Sequence, residues 1–277
     1  MLKSKQYVYF ILVIFLFLSY CSQFRKIEKS DDLEAKYKAA IEYFDKKDYY
    51  RSSVLLEQIL PLLRGDKRAE KAQYYYAYSH FHQKLYIQSA YYFKLFYQTY
   101  SRSEFAEESM YMHAYSLFLD SPAFNLDQSS TFEAVEAMQN FLNKYPQTEY
   151  KEQGNNIINR LREKLEDKAY FNAKEYYKLK DYDPRNLKAA IIAFENFEKD
   201  FPDSKRNEEI NYLRLDAKFR LAQQSVPLKQ KERFKEALKL CETFIDFYPE
   251  SVYLKKAENI YKESIDQLSK KEANGNL

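Results

Sequence analysis

Residues 74–81 read Tyr-Tyr-Tyr-Ala-Tyr-Ser-His-Phe, and this stretch decides the fold. Tyr74, Ala77 and Phe81 stand three and four residues apart, the spacing of neighbours on one helix face. The same trio stands 37 residues upstream as Tyr37, Ala40 and Phe44, and 37 downstream as Tyr111, Ala114 and Phe118. A period in the mid-thirties with helical spacing inside it predicts stacked helix pairs. Such an array offers a long binding face rather than a catalytic cleft.

Working outward, the second helix of each pair repeats as well. Ser52, Leu56 and Ile59 return as Ser89, Phe93 and Phe96, and again as Ala134, Met138 and Phe141. The last interval is 45 rather than 37, and the surplus of eight matches the insert Ser121–Gln128. Ala190, Phe194, Phe197 and Ala237, Cys241, Phe244 complete five units. A small residue lets two helices approach, and the large ones fill the gap between them. Tyr145-Pro146, Phe201-Pro202 and Tyr248-Pro249 end the last three second helices, since proline cannot continue one. In the fourth unit the first helix carries Tyr170, Ala173 and Tyr177; in the fifth, Tyr212, Leu215 and Phe219 fit best. The pattern resembles the tetratricopeptide repeat without its signature Trp and Gly. The expected fold is an all-α, tetratricopeptide-like solenoid of about five helix pairs with a C-terminal capping helix, Val252–Leu268.

Composition agrees. Only 3 Gly and 7 Pro leave little room for hairpin turns, and 31% charged against 45% hydrophobic residues suits amphipathic helices. Residues 1–20 stand outside the repeats: Lys3 and Lys5 precede the apolar stretch Tyr7–Leu18, which reads as a secretory signal peptide. Cys21 follows at once and resembles the bacterial lipoprotein acylation site, although Tyr20 replaces the usual small residue. Residues 21–30 then read as a lipid-anchored tether, with Ser30-Asp31-Asp32 placed to cap the first helix. Repeats 1–3 are expected over 31–150, repeats 4–5 with the cap over 151–269, and a flexible tail over 270–277. The Pro-free stretch Glu149–Tyr177 reads as one helix joining the two halves, with Gly154 its weak point.

No chemistry is legible. His80 and His82 are two residues apart and face different sides of a helix, so they do not make a metal site, and His113 stands alone. Glycine is too scarce for a phosphate-cradling loop, and no nucleophile or metalloprotease motif occurs. No cofactor is expected. With Lys3 and Lys5 removed the net charge falls from +3 to +1, which carries no nucleic-acid signature. Cys241 sits at a core position. The 28 Tyr and 21 Phe stand out instead. In tetratricopeptide folds the first helices line the concave groove, which here would present Tyr37, Tyr74, Tyr78, Tyr111 and Tyr115, with Ile41, Phe44, Phe81 and Phe118, to an extended aromatic peptide.

A lipoprotein-like Cys21 and five tetratricopeptide-like units, together with Leu126-Asp127-Gln128 in the insert, Tyr145–Tyr150, the helix closing on Tyr176-Tyr177 and Asp200–Ser204, resemble the BamD family of outer-membrane β-barrel assembly lipoproteins. The tyrosine load and the Lys-Asp-Tyr-Tyr turn look like its Bacteroidetes branch. The resemblance implies a non-enzymatic scaffold, lipid-anchored to the outer membrane on its periplasmic face. Its implied partners are a BamA POTRA domain, unfolded β-barrel precursors and other assembly lipoproteins. The first repeats would receive the precursor's aromatic C-terminal strand; the last would dock BamA, with Lys199 beside Asp200 at the contact. The alternatives are an envelope lipoprotein coordinating cell division or peptidoglycan synthesis, and a polysaccharide-uptake lipoprotein.

Overall fold

The computed structural model describes residues 23–274, so Cys21 and the stretch read as a signal peptide lie outside the described residues. A short helix, α1, covers residues 23–28. Five helix pairs follow: α2 (Leu33–Asp45) with α3 (Tyr49–Ile59), α4 (Arg68–His82) with α5 (Tyr86–Thr99), α6 (Ala106–Asp120) with α7 (Ser129–Lys144), α8 (Lys151–Lys178) with α9 (Pro184–Asp200), and α10 (Asn207–Gln223) with α11 (Pro227–Phe247). Helix α12 (Leu254–Asn274) closes the array, and no strand occurs among the described residues. The all-α repeat fold expected from the periodicity is present. The cap runs on to Asn274, through the start of the stretch expected to be a flexible tail.

All five small-large-large triplets of the second helices are buried, from Ser52, Leu56 and Ile59 to Ala237, Cys241 and Phe244. So are Ala40, Ala77, Ala114 and Ala173 on the first helices. Leu215 takes the alanine's place in the fifth pair and is buried too. Cys241 packs in that core, where burial pushes its thiol up to about 12, so it stays protonated and unreactive.

Two turn types build the repeats. After each of four second helices an aromatic residue ends the helix, and three residues later a Ser or Thr amide donates to that residue's carbonyl: Ser103 to Tyr100, Thr148 to Tyr145, Ser204 to Phe201 and Ser251 to Tyr248, at 3.0–3.1 Å. The Ser or Thr oxygen then accepts the amide two residues on. Three of the serine hydroxyls also donate to an acid on the preceding first helix: Ser103 to Glu70, Ser204 to Glu166 and Ser251 to Glu208. One hydroxyl thus opens the next unit and pins it to the last. The other turn lies inside the first two pairs, where Lys47 and Lys84 take φ of 61° and 62°, the left-handed conformation that ends a helix and that glycine adopts without penalty. The insert Ser121–Gln128 folds around its own Gln128, whose side-chain amide donates to the Ala123 and Leu126 carbonyls at 2.8 and 3.0 Å.

The chain divides into two compact units, the boundary falling at Arg162/Glu163 within α8. In the first unit Ile157 and Leu161 of α8 join the core of α4–α7. In the second Ala173 joins Ala190, Phe194, Phe197 and Ile210. Gly154 does not interrupt α8. It is buried where α8 approaches α7: a Cβ there would stand 3.0 Å from Leu142 Cδ2 and 3.2 Å from Met138 Sδ, so glycine admits the close packing.

The stretch read as a tether is, from residue 23, folded structure. Phe24 meets Tyr43 edge-on at 5.7 Å, and Arg51 lies over both rings at 5.3 and 5.7 Å. Ile27 packs on the same core, and Asp32 caps α2 by accepting the Ala35 amide at 3.0 Å, as its sequence position predicts.

Candidate functional site

Helical geometry sorts the expected tyrosines. A residue three positions before a core alanine shares the alanine's face. Tyr74 precedes Ala77 by three and Tyr111 precedes Ala114 by three, and both tyrosines are buried. Tyr74 stacks on Phe105 at 4.5 Å and meets Phe96 at 5.6 Å; Tyr111 stacks on Tyr150 at 4.2 Å. The expectation that these two line an open groove is therefore corrected: the spacing that reveals the repeat is the spacing that buries them. Tyr37, Tyr78 and Tyr115 are half-buried. The Tyr74 and Tyr78 hydroxyls both donate to the Glu108 carboxylate of the next first helix. Burial, then the bond to Glu108, pushes both phenols above their usual range, so they remain donors.

The first unit also carries a row of rings, half-buried apart from the exposed His82, that the sequence reading only partly named. Phe44 stacks on Tyr75 at 4.4 Å with an interplanar angle of 2°, and Tyr49 stacks on His82 at 4.2 Å. Tyr78 lies 5.8 Å from His82 and 6.3 Å from Phe81. Phe81 lies 5.9 Å from Tyr115, and Tyr115 stacks with Phe118 at 6.0 Å. Cations flank the row: Arg68 over Tyr37 at 5.6 Å, Lys71 over Tyr75 at 5.3 Å and Arg160 over Phe118 at 4.8 Å. Tyr75, His82 and Arg160 were missed. Tyr75 stands two residues before Ala77, a helical offset of about 200° that takes it off the alanine's face, to pack half-buried at the edge of both first-unit clusters. That offset was the available signal.

In the second unit the corresponding first helices are joined by charge. Tyr170 and Lys174 both bond Glu209, at 2.6 and 2.8 Å. Burial works against the Glu209 carboxylate, but the bonds from Lys174 and Tyr170 outweigh it and hold its pKa below the usual range. Tyr177 and Arg220 both bond Asp216 Oδ2 at 2.5 Å. Lys199 and Asp200 are exposed at the end of α9. Their chain neighbours Glu198 and Pro202 line a cleft of about 530 Å³ between α9, α10 and α11, with Arg214 paired to Glu198 at 2.6 Å within it.

His80 is half-buried between Tyr76 and Tyr92, whereas His82 is exposed against Tyr49. Among the described residues no group of three or more His, Cys, Asp and Glu side chains is placed to hold a metal ion.

The YfiO family, described as outer membrane lipoproteins, matches over residues 29–184 and again over 173–274, nearly the whole described chain. The chain belongs to the YfiO outer membrane lipoprotein family. No curated protein matches it significantly. The family is BamD-like and is one of helical scaffolds rather than enzymes, which agrees with the repeat fold. No helix among the described residues is long and apolar enough to cross a membrane.

Proposed function

We propose that this YfiO-family chain is a non-enzymatic scaffold of β-barrel assembly, held at the periplasmic face of the outer membrane by lipid on Cys21 after removal of residues 1–20. Its first unit receives the aromatic C-terminal strand of unfolded barrel precursors. Its second unit docks a BamA POTRA domain around Lys199 and Asp200 and stands beside other assembly lipoproteins. The tyrosine-rich composition supports a Bacteroidetes-like branch for it. The observation that carries the reading is the row from Phe44 and Tyr75 to Tyr115 and Phe118, edged by Lys71 and Arg160. Rings accept aromatic side chains of an extended peptide, and the flanking cations suit the free carboxylate at a chain end.

The test uses a peptide copying a barrel protein's last strand. Tyr75→Ser and Phe118→Ser should each weaken binding by about 1–2 kcal/mol, as interface hot spots do, while lowering stability less than loss of the buried Tyr74. Lys199→Glu should reduce BamA capture and leave peptide binding intact. The reverse pattern would exchange the roles of the two units, and unchanged binding in both assays would end the proposal. For the anchor, Cys21→Ala should abolish fatty-acid labelling and release the chain from the outer membrane.

A further inference from the structure

We infer that α1 is a docked collar that lays the first repeat on the lipid surface, so that this scaffold hangs from the membrane by a folded edge and not by a free tether. The inference rests on acylation of Cys21 and goes beyond it, because an acylated cysteine is compatible with a long or a short leash.

The first observation is how little chain is left over. Helix α1 starts at residue 23, and the two residues from Cys21 to Gln23 span at most roughly 7 Å. The polar zone of one leaflet is about 5–8 Å deep. A lipid on Cys21 therefore brings the start of α1 to the level of the headgroups.

The second observation is that α1 cannot swing away without losing contacts. Its apolar residues, Phe24 and Ile27, are three apart and both pack on the core formed by Ala39, Tyr43 and Leu55. Arg51 of α3 covers the Phe24 and Tyr43 rings together. The link to α2 is bonded throughout: the Ser30 amide donates to the Ile27 carbonyl at 3.1 Å, and the Asp32 amide donates to Ser30 Oγ at 3.1 Å. No loose residue separates the anchor side of α1 from the first repeat.

The third observation is the outward face. Arg25, Lys26 and Lys29 are exposed there, while Glu28 is half-buried. Asp31 is exposed beyond the helix, and Asp32 is engaged as the α2 cap. Long cationic side chains lie along a membrane interface with their charges at headgroup phosphates. The partner this face fits is a phospholipid headgroup layer.

The test places a fluorophore on single cysteines in the full acylated chain, on vesicles of phosphatidylethanolamine and phosphatidylglycerol with nitroxide-labelled headgroups. Cys241 does not compete, being fully buried with its thiol pushed up to about 12. A probe at Lys26→Cys should be quenched at least several-fold more than one at Asn143→Cys, at the end of α7. A flexible Gly-Ser linker of about twelve residues between Ser22 and Gln23 should bring Lys26 down to the Asn143 level. Fatty-acid labelling of the same samples separates the two layers of argument. A chain that carries fatty acid yet shows no preferential quenching at Lys26, or keeps it with the linker, overturns the collar and leaves the anchor standing. A chain without fatty acid overturns both.

Discussion

The two units use one repeat and join its first helices differently. In each, tyrosine hydroxyls reach an acid on the next first helix: Tyr74 and Tyr78 to Glu108 in the first unit, Tyr170 to Glu209 and Tyr177 to Asp216 in the second. In the second unit each acid also takes a cation, Lys174 or Arg220. In the first unit, stacked and edge-on rings continue the face instead, with cations at its border. The difference is one of unused capacity. Paired charges satisfy each other and leave little for a guest, whereas a ring bound on one side keeps its other side available. An aromatic pair contributes about 0.5–1.5 kcal/mol beyond area burial. A charge left buried after its partner is removed costs about 3–5 kcal/mol.

The largest effect expected from this contrast is inside the first unit. Tyr74→Ser should cost about 3–5 kcal/mol, the range for truncating a buried aromatic, and it also removes a donor from Glu108. Tyr75→Ser, next in the chain but only half-buried, should cost less, about 1–2 kcal/mol. Thermal melts of the pair check this, and equal losses would erase the distinction between core and face.

Next comes the charge network of the second unit. Asp216→Ala strands the Tyr177 hydroxyl and the Arg220 guanidinium and should cost about 3 kcal/mol. Glu108→Ala strands hydroxyls only, and about 1–3 kcal/mol is expected. Denaturant titrations that rank the two the other way would show that the cations of the second unit add nothing.

A third test is acid. His113 donates Nδ1–H to the Ala90 carbonyl at 2.9 Å, and burial, reinforced by Lys94, pushes its pKa down to about 4. The folded value lies below the ordinary one, about 6.5, so between them the unfolded chain binds more protons. The neutral imidazole's contribution is complete above about pH 6.5 and falls as pH drops toward 4, by up to roughly 3 kcal/mol. His113→Gln should flatten the stability-pH curve in that window, and an unchanged curve would assign the acid sensitivity elsewhere.

The smallest expected effect is a gain. Lys47→Gly and Lys84→Gly place glycine at left-handed positions and should each stabilise by about 0.5–1 kcal/mol. Lys180→Gly, in the corresponding turn of the second unit, has no positive φ to relieve and should not stabilise. A gain at Lys180 would mean that the turns do not differ as described.

Periodicity made most of the fold legible, because each position of the small-large-large stripe meets a neighbour that the repeat itself supplies, as where Ser52 meets Ser79 and Ser89 meets Ser116 of the next first helix. That is why Ser52, Ala134 and Cys241 are buried although their chemistry differs. The candidate site was legible in part. Phe44, Phe81, Tyr115 and Phe118, read as groove residues, are half-buried in the row of rings; Tyr74 and Tyr111 were placed there although they share the stripe of their core alanines. Tyr75 and Arg160 were not seen, since they act across neighbouring helices: Tyr75 on Phe44 of the preceding pair, Arg160 on Phe118 from α8.

By itself, then, the sequence determined the all-α class, the number of helix pairs, the small-residue seam and the capped start of α2 within Ser30–Asp32. These are local facts, set by a period near 3.6 and by side chains bonding their own backbone. Tertiary structure alone decided which tyrosines are buried, that Gly154 serves the close passage of α8 over α7, that three serine hydroxyls tie the third pair, the fifth pair and the cap to the first helix before them, and that α1 is docked rather than loose. Each of those depends on a neighbour between 12 residues away in the chain, as Leu142 is from Gly154, and 43, as Glu208 is from Ser251. Spacing along one helix carries no information about what stands opposite it.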